Sequence, residues 1–232
     1  MFFNPMYFVF ALPAMLLAFW AQMRVRSAYN KYLRVPNARG MSGLEAAEKL
    51  LGSEGLSHVS VEGARGSLTD HYDPRKKTLR LSQGVANSRS VAALGIVAHE
   101  VGHALQDATA YAPMKLRTGI VPMVTVSAYL GPMIFIFGML LGSTSLAWVG
   151  VLFFSMSAVF ALLTLPVEMN ASQRALQMLT TRGLVASNTE AEGAREVLNA
   201  AAWTYVAALV QIMGTLLYYV SILGGMGGRR RR

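Results

Sequence analysis

Three long stretches of this 232-residue chain carry no formal charge. They are Phe2–Trp20, Gly119–Val167 and Ala200–Gly228. A bilayer core is crossed by about 20 helical residues, so the 49 residues of the middle stretch suffice for two crossings. Gly142-Ser143-Thr144-Ser145 interrupts that stretch near its centre. The pattern therefore predicts four transmembrane helices: 2–20, 119–141, 146–165 and one beginning at Ala200. A buried helical core in a soluble protein does not use apolar runs of this length. The first run has neither a basic start nor a small-residue cleavage site, so it reads as a retained anchor.

Between residues 22 and 118 the periodicity changes. Ser42-Gly43-Leu44-Glu45 is a capping-box pattern ahead of Ala46–Leu51, with Gly52 as a stop. His58–Glu62 alternates like a strand. Ser67–Tyr72 and Thr78–Ser82 are expected to form a hairpin around Asp73-Pro74-Arg75-Lys76. Thr78–Ser82 reads as an edge strand able to pair with an extended peptide, with an internal strand as the other reading. Asn87 or Ser88 is expected to cap a helix that ends at Gln106 and Asp107. Pro166 is expected to break the third membrane helix and start a new one. Thr189-Glu190-Ala191-Glu192 reads as a capping box opening a helix that runs into the fourth span. The expected layout is an anchor (1–21), a small α+β segment (22–118), a transmembrane hairpin (119–165), a helical segment (166–199) and a last helix with a basic tail (200–232). The fold class is a predominantly α, polytopic membrane protein with a small α+β domain.

Composition agrees with that reading. Charged residues make up 14% of the chain, against about 25% in a typical soluble domain. The net charge of +9 would suit nucleic acid, but its distribution does not. Fourteen of the 21 basic residues lie between the first and second spans, three follow the third, and Arg229–Arg232 end the chain. Basic residues beside spans mark a cytoplasmic face, and Arg24, Arg26, Lys31 and Arg34 are placed to meet anionic lipid headgroups. No aromatic-basic surface for nucleic acid is evident. Four full crossings would put the C-terminal arginines on the opposite face, against the positive-inside trend. The chain has no cysteine, which excludes disulfides and thiolate ligands.

The chemistry is concentrated in His99-Glu100-Val101-Gly102-His103, an H-E-x-x-H pattern. On a helix, His99 and His103 stand one turn apart on one face and can offer two imidazole nitrogens to a single zinc ion. Glu100 lies off that line, close enough to take a proton from water. A catalytic zinc site needs a third protein ligand. Only Glu168, Glu190, Glu192 and Glu196 follow Asp107. The last three fall in a stretch expected to be a solvated helix start. Glu168, in Leu165-Pro166-Val167-Glu168, directly follows an apolar run and is the better candidate. Two spans separate His103 from Glu168, so the chain returns to the side it left and the three groups can meet.

Asp70-His71-Tyr72-Asp73-Pro74, Leu79-Arg80-Leu81-Ser82, Ala98–Gln106, Leu165–Glu168 and Asn199–Ala207 together resemble the YugP-like neutral zinc metallopeptidases of bacterial membranes. The layout is similar to that of the HtpX-type membrane metalloproteases. The resemblance spans nearly the whole chain. It implies a zinc-dependent peptidase of the bacterial inner membrane, with His99, His103 and Glu168 as ligands and Glu100 as base. It also implies a few strands ahead of the ligand helix, and peptides or membrane proteins as substrates. The family often has Asp where this chain has Asn170. An amide accepts a hydrogen bond there without raising a ligand histidine's basicity as a carboxylate would.

The expected activity is zinc-assisted peptide-bond hydrolysis, catalytic side cytoplasmic. His71, Tyr72, Tyr111 and Arg174 are candidates to stabilise the tetrahedral oxyanion, with Asn170 behind the ligands. Two other readings remain: a non-proteolytic metal-binding membrane scaffold, and a protease whose H-E-x-x-H helix itself lies within the bilayer. The pattern specifies no oligomeric state.

Overall fold

The computed structural model describes Pro5–Arg229, with side chains described over residues 6–225. Seven helices and a three-stranded sheet follow in the order α1 (Pro5–Leu33), α2 (Gly43–Ser53), β1 (Ser60–Ala64), β2 (His71–Asp73), β3 (Thr78–Ser82), α3 (Gln83–Ala86), α4 (Val91–Ala108), α5 (Ala112–Leu140), α6 (Thr144–Thr181) and α7 (Asn188–Arg229). Four of the helices, α1, α5, α6 and α7, are long and apolar enough to cross a membrane. The protein is thus predominantly helical with a small β component, as its hydrophobic pattern predicts.

The chain divides into two compact units. One holds the residues up to Ala21, Leu116–Leu165, and those from Thr204 onward. Within it, α5 and the start of α6 form a tight antiparallel hairpin. A side chain at Gly150 would lie 2.4 Å from the backbone nitrogen of Phe135, so the two helices approach at a distance only glycine permits. This is how helices associate in lipid, where close packing replaces the hydrophobic drive of water. Phe135 also stacks on Tyr219 with ring centres 4.0 Å apart. Leu140, Leu141 and Leu152 are exposed, as side chains facing lipid would be.

The second unit comprises Gln22–Lys115 and Pro166–Trp203. Its core gathers Leu50, Leu51, Leu79, Leu81, Val85, Leu94, Val97, Val101, Val167 and Leu179 around α4. The predicted capping box of α2 is present: Ser42 Oγ accepts from the Glu45 N–H, and the Glu45 carboxylate accepts from the Ser42 N–H. The sheet has the order β1-β3-β2, with β1 parallel and β2 antiparallel to β3. The β2–β3 hairpin is the predicted one, and Asp73 Oδ1 accepts from the Arg75 and Lys76 N–H groups in its turn.

Four local expectations are corrected. Strand β3 is central, paired on both sides, so it offers no edge to a peptide. Its Leu79 and Leu81 are buried together with Thr78 and Ser82, the mark of an internal strand. The cap of α4 is Ser90, whose hydroxyl accepts from the Ala93 N–H; Asn87 and Ser88 follow the short helix α3. Pro166 does not break α6, which continues through it. One missing N–H costs a single hydrogen bond, and neighbouring helices commonly support such a gap. The start of α7 is fixed by Ser187, two residues earlier than expected: its hydroxyl accepts from the Glu190 N–H. The Glu190 carboxylate is buried and accepts from the N–H groups of Ala186 and Ala38. Beyond the backbone of Arg229, the basic tail lies outside the described residues.

Candidate metal centre

Two elements of the second unit build the site. Helix α4 is apolar on nearly every face and is buried along most of its length. It presents His99 and His103 in succession, and their rings meet edge to face with centres 4.7 Å apart. Helix α6 passes very close to it. A side chain at Gly102 would lie 2.7 Å from the Ala171 carbonyl oxygen, so the glycine is what allows the two backbones to approach. One turn before Ala171, Glu168 then reaches across to both imidazoles.

Glu168 Oε2 lies 3.2 Å from His99 Nε2 and 3.4 Å from His103 Nε2. The three residues each offer a ligand atom, all within 4.8 Å of one another. The two distances from Glu168 fit a shared zinc ion. Bonds of about 2.0–2.1 Å in tetrahedral directions place neighbouring ligand atoms about 3.3 Å apart. The donor set, two imidazoles and a carboxylate, is also one that zinc favours when a fourth position is left for water.

Each histidine is held from behind. His99 Nδ1 meets Ser172 Oγ at 3.1 Å. His103 Nδ1 meets Gln106 Oε1 at 3.0 Å. Gln106 is fully buried; its Nε2 donates to the Val167 carbonyl at 2.8 Å and to Asn170 Oδ1 at 3.0 Å. Asn170 Oδ1 also accepts from Arg174 Nε at 2.8 Å. Burial lowers the His103 pKa, but the hydrogen bond it donates to Glu168 and the charges of Glu100 and Glu168 outweigh it, and the imidazole sits above its usual value.

Glu100 is 8% exposed. Its Oε2 accepts the backbone N–H of Tyr72 at 3.0 Å, which ties β2 to the ligand helix. Burial pushes its carboxyl above the usual carboxylate range; His99 and His103 oppose the shift, and the charges of Glu168 and Asp70 add to it. Glu100 is thus a buried carboxylate set beside the two imidazoles, with one backbone donor.

The remaining candidates go elsewhere. The Tyr72 phenol donates to Asp107 Oδ2 at 2.7 Å, where Lys77 also binds. Burial first, and then Asp107, raise that phenol's pKa. His71 is exposed, and its Nδ1 meets the Thr69 carbonyl at 2.7 Å. Arg174 lies over the Tyr111 ring and lines a pocket of about 390 Å³ with Asn170, Gln173 and Arg182. Asp70 accepts from the Ser82 N–H and hydroxyl and fixes the approach to β2. Sequence reasoning did not single out Gln106 or Ser172. Their spacings, three residues after His103 and four after Glu168, would have placed both on the ligand faces of their helices.

A helix bearing two imidazoles and an acid, met by a carboxylate from a second helix, forms a group that could hold a metal ion. Comparison with known proteins gives the family. Residues 7–224 match the family described as "Putative neutral zinc metallopeptidase", and the chain belongs to that family. It is 44% identical to the "Putative membrane protease YugP" of Bacillus subtilis (strain 168), over 94% of this chain and 96% of that protein. No solved structure matches.

Proposed function

We propose that this protein is a membrane-bound zinc peptidase that hydrolyses peptide bonds with Glu100 as general base. The observation that carries the reading is the convergence of His99, His103 and Glu168, whose Oε2 lies 3.2 and 3.4 Å from the two imidazole Nε2 atoms, with the Glu100 carboxylate beside them. Zinc held by these three residues would supply Lewis acidity, polarising a peptide carbonyl and bringing the pKa of water to about 7. Glu100 takes the proton of the attacking water and delivers it to the departing amine nitrogen. Oε2 is engaged by the Tyr72 N–H, which leaves Oε1 to face the attacking water.

The backbone of the substrate lies along the outer edge of β2. One side of β2 is occupied by β3, and on the other the Tyr72 N–H already points at Glu100. An extended peptide added along that edge passes beside Glu100. The family name and the name of the Bacillus subtilis relative support a protease of the membrane. The concentration of basic residues after the first span supports a cytoplasmic catalytic side in a bacterial inner membrane. Helix α4 is not among the four long apolar helices, which favours a site outside the bilayer over an intramembrane one.

Elemental analysis and a peptide-cleavage assay on the detergent-solubilised protein test the proposal together. One zinc per chain is expected, absent from the His99→Ala/His103→Ala double variant and weakened in Glu168→Gln. Cleavage should stop on chelation and return with zinc. Stoichiometric zinc in the double variant would overturn the ligand assignment. Zinc without cleavage of any peptide or membrane-protein substrate would favour the metal-binding scaffold.

A further inference from the structure

Gln106 has one hydrogen-bonding solution at its position, and that solution dictates the state of a metal ligand. This inference rests on the metal-site reading above. The Val167 carbonyl can only accept, so the Gln106 atom 2.8 Å from it is the amide nitrogen. The other amide proton goes to Asn170 at 3.0 Å. The Asn170 atom must be its oxygen, because Arg174 Nε, which can only donate, approaches the same atom at 2.8 Å. With both Gln106 protons committed, the atom facing His103 Nδ1 at 3.0 Å is Oε1, a pure acceptor. Nδ1 must then carry a proton, so in the neutral imidazole the lone pair is on Nε2. Nε2 is the nitrogen that faces Glu168.

We infer that Gln106 is a positioning residue that selects the Nε2-binding form of His103, and that Asn170 and Arg174 act behind it by fixing the orientation of its amide. The same side chain sets the register of the two ligand elements. It grips the carbonyl of Val167, the residue directly before Glu168, from a position one turn beyond His103. Helix α4 thus carries both a ligand and the clamp on the neighbouring ligand's backbone. The chain also explains why an amide suffices at position 170. What Gln106 and Arg174 require of it is an oxygen that accepts twice, and either Asn or Asp supplies one.

A clamp that was only structural would lower stability without changing the imidazole. The test therefore reads the imidazole directly. The full chain in detergent is loaded with zinc; its affinity is measured by chelator competition and its histidines are observed by 15N NMR. Gln106→Leu should weaken zinc binding about 10–100-fold, the usual cost of losing a partner behind a metal ligand. The slowly exchanging Nδ1–H signal of His103 should disappear or exchange rapidly. Asn170→Ala should shift both readouts in the same direction, and Asn170→Asp should recover most of the loss. Wild-type affinity and an intact Nδ1–H signal in Gln106→Leu would overturn the inference. If Gln106→Leu does not fold, the Asn170→Ala and Asn170→Asp pair decides it, since that side chain bonds neither histidine. Equal zinc affinity and equal signals in that pair would overturn the chain of positioning. Absence of zinc from the wild-type protein would overturn the metal-site reading instead, and this inference with it.

Discussion

Acidic residues close together in sequence have quite different roles here, and burial decides which. Glu190 stands in a polar stretch yet is buried and bonded to two backbone N–H groups, an arrangement that anchors residues 36–40 to the start of α7. Glu196, also in that stretch, pairs at the surface with Lys31, an interaction worth little on its own. Glu100 is buried with one backbone donor and two imidazoles for company. That difference makes a sharp prediction for Glu100→Gln. The amide keeps the shape and can still accept from Tyr72, but it cannot take a proton. The variant should hold zinc as the wild type does, while peptide turnover falls about 10²–10⁴-fold, the usual cost of losing a general base. Turnover close to wild type in a zinc-loaded Glu100→Gln preparation would rule out Glu100 as the base.

At the level of elements, the close pass of α4 and α6 is the structural condition for the site. Gly102→Val would drive a branched side chain into the Ala171 carbonyl. Overpacking of this kind typically costs about 1–3 kcal/mol, and here it also separates Glu168 from the histidines. Lost zinc in a variant that keeps its helical content by circular dichroism is the expected result. Strand β3 gives a second prediction. Arg80 lies where β3 is paired with both β1 and β2, so Arg80→Pro should destabilise the sheet by about 1–3 kcal/mol, the cost of leaving a ladder partner unpaired, visible as a lowered Tm or loss of folded protein. Normal folding with only substrate binding impaired would instead restore the edge-strand reading of β3. The contrast shows what the sequence could reveal. The apolar spans, the α2 cap, the hairpin and the i, i+4 histidines depend on neighbours in sequence, and all were legible. The order of the strands was not: alternation in Thr78–Ser82 reports which faces are apolar, not which edges are paired. Pro166 misled for the same reason, because tertiary support for a helix is invisible in a single segment. Gln106 was passed over because its three partners come from α4 and α6, 61 and 64 residues apart in two of the contacts.

For the whole molecule, the proposed zinc site imposes a condition on membrane topology. His99, His103 and Glu168 belong to one compact unit whose two segments, Gln22–Lys115 and Pro166–Trp203, are separated in sequence by Leu116–Leu165. A chain that leaves the bilayer and returns to the same side must cross an even number of times. Helix α5 and the first part of α6 provide two apolar lengths for this, with a turn at Gly142 and Ser143 between them. The absence of native cysteines makes the condition testable by single replacements. Ser53 and Thr189 are exposed positions in the two separated segments, and Ser145 is exposed just after the turn. Thr189 is preferable to Ser187, whose hydroxyl caps α7. With the catalytic side cytoplasmic, Ser53→Cys and Thr189→Cys should react with a membrane-impermeant maleimide only after the inner face is opened. Ser145→Cys should react in intact cells. Labelling of the first two in intact cells, with Ser145→Cys protected, would reverse the orientation but leave the site intact. Labelling of Ser53→Cys and Thr189→Cys from opposite sides would be far more damaging. It would place Glu168 across the bilayer from His99 and His103, and no zinc ion could then be shared among them.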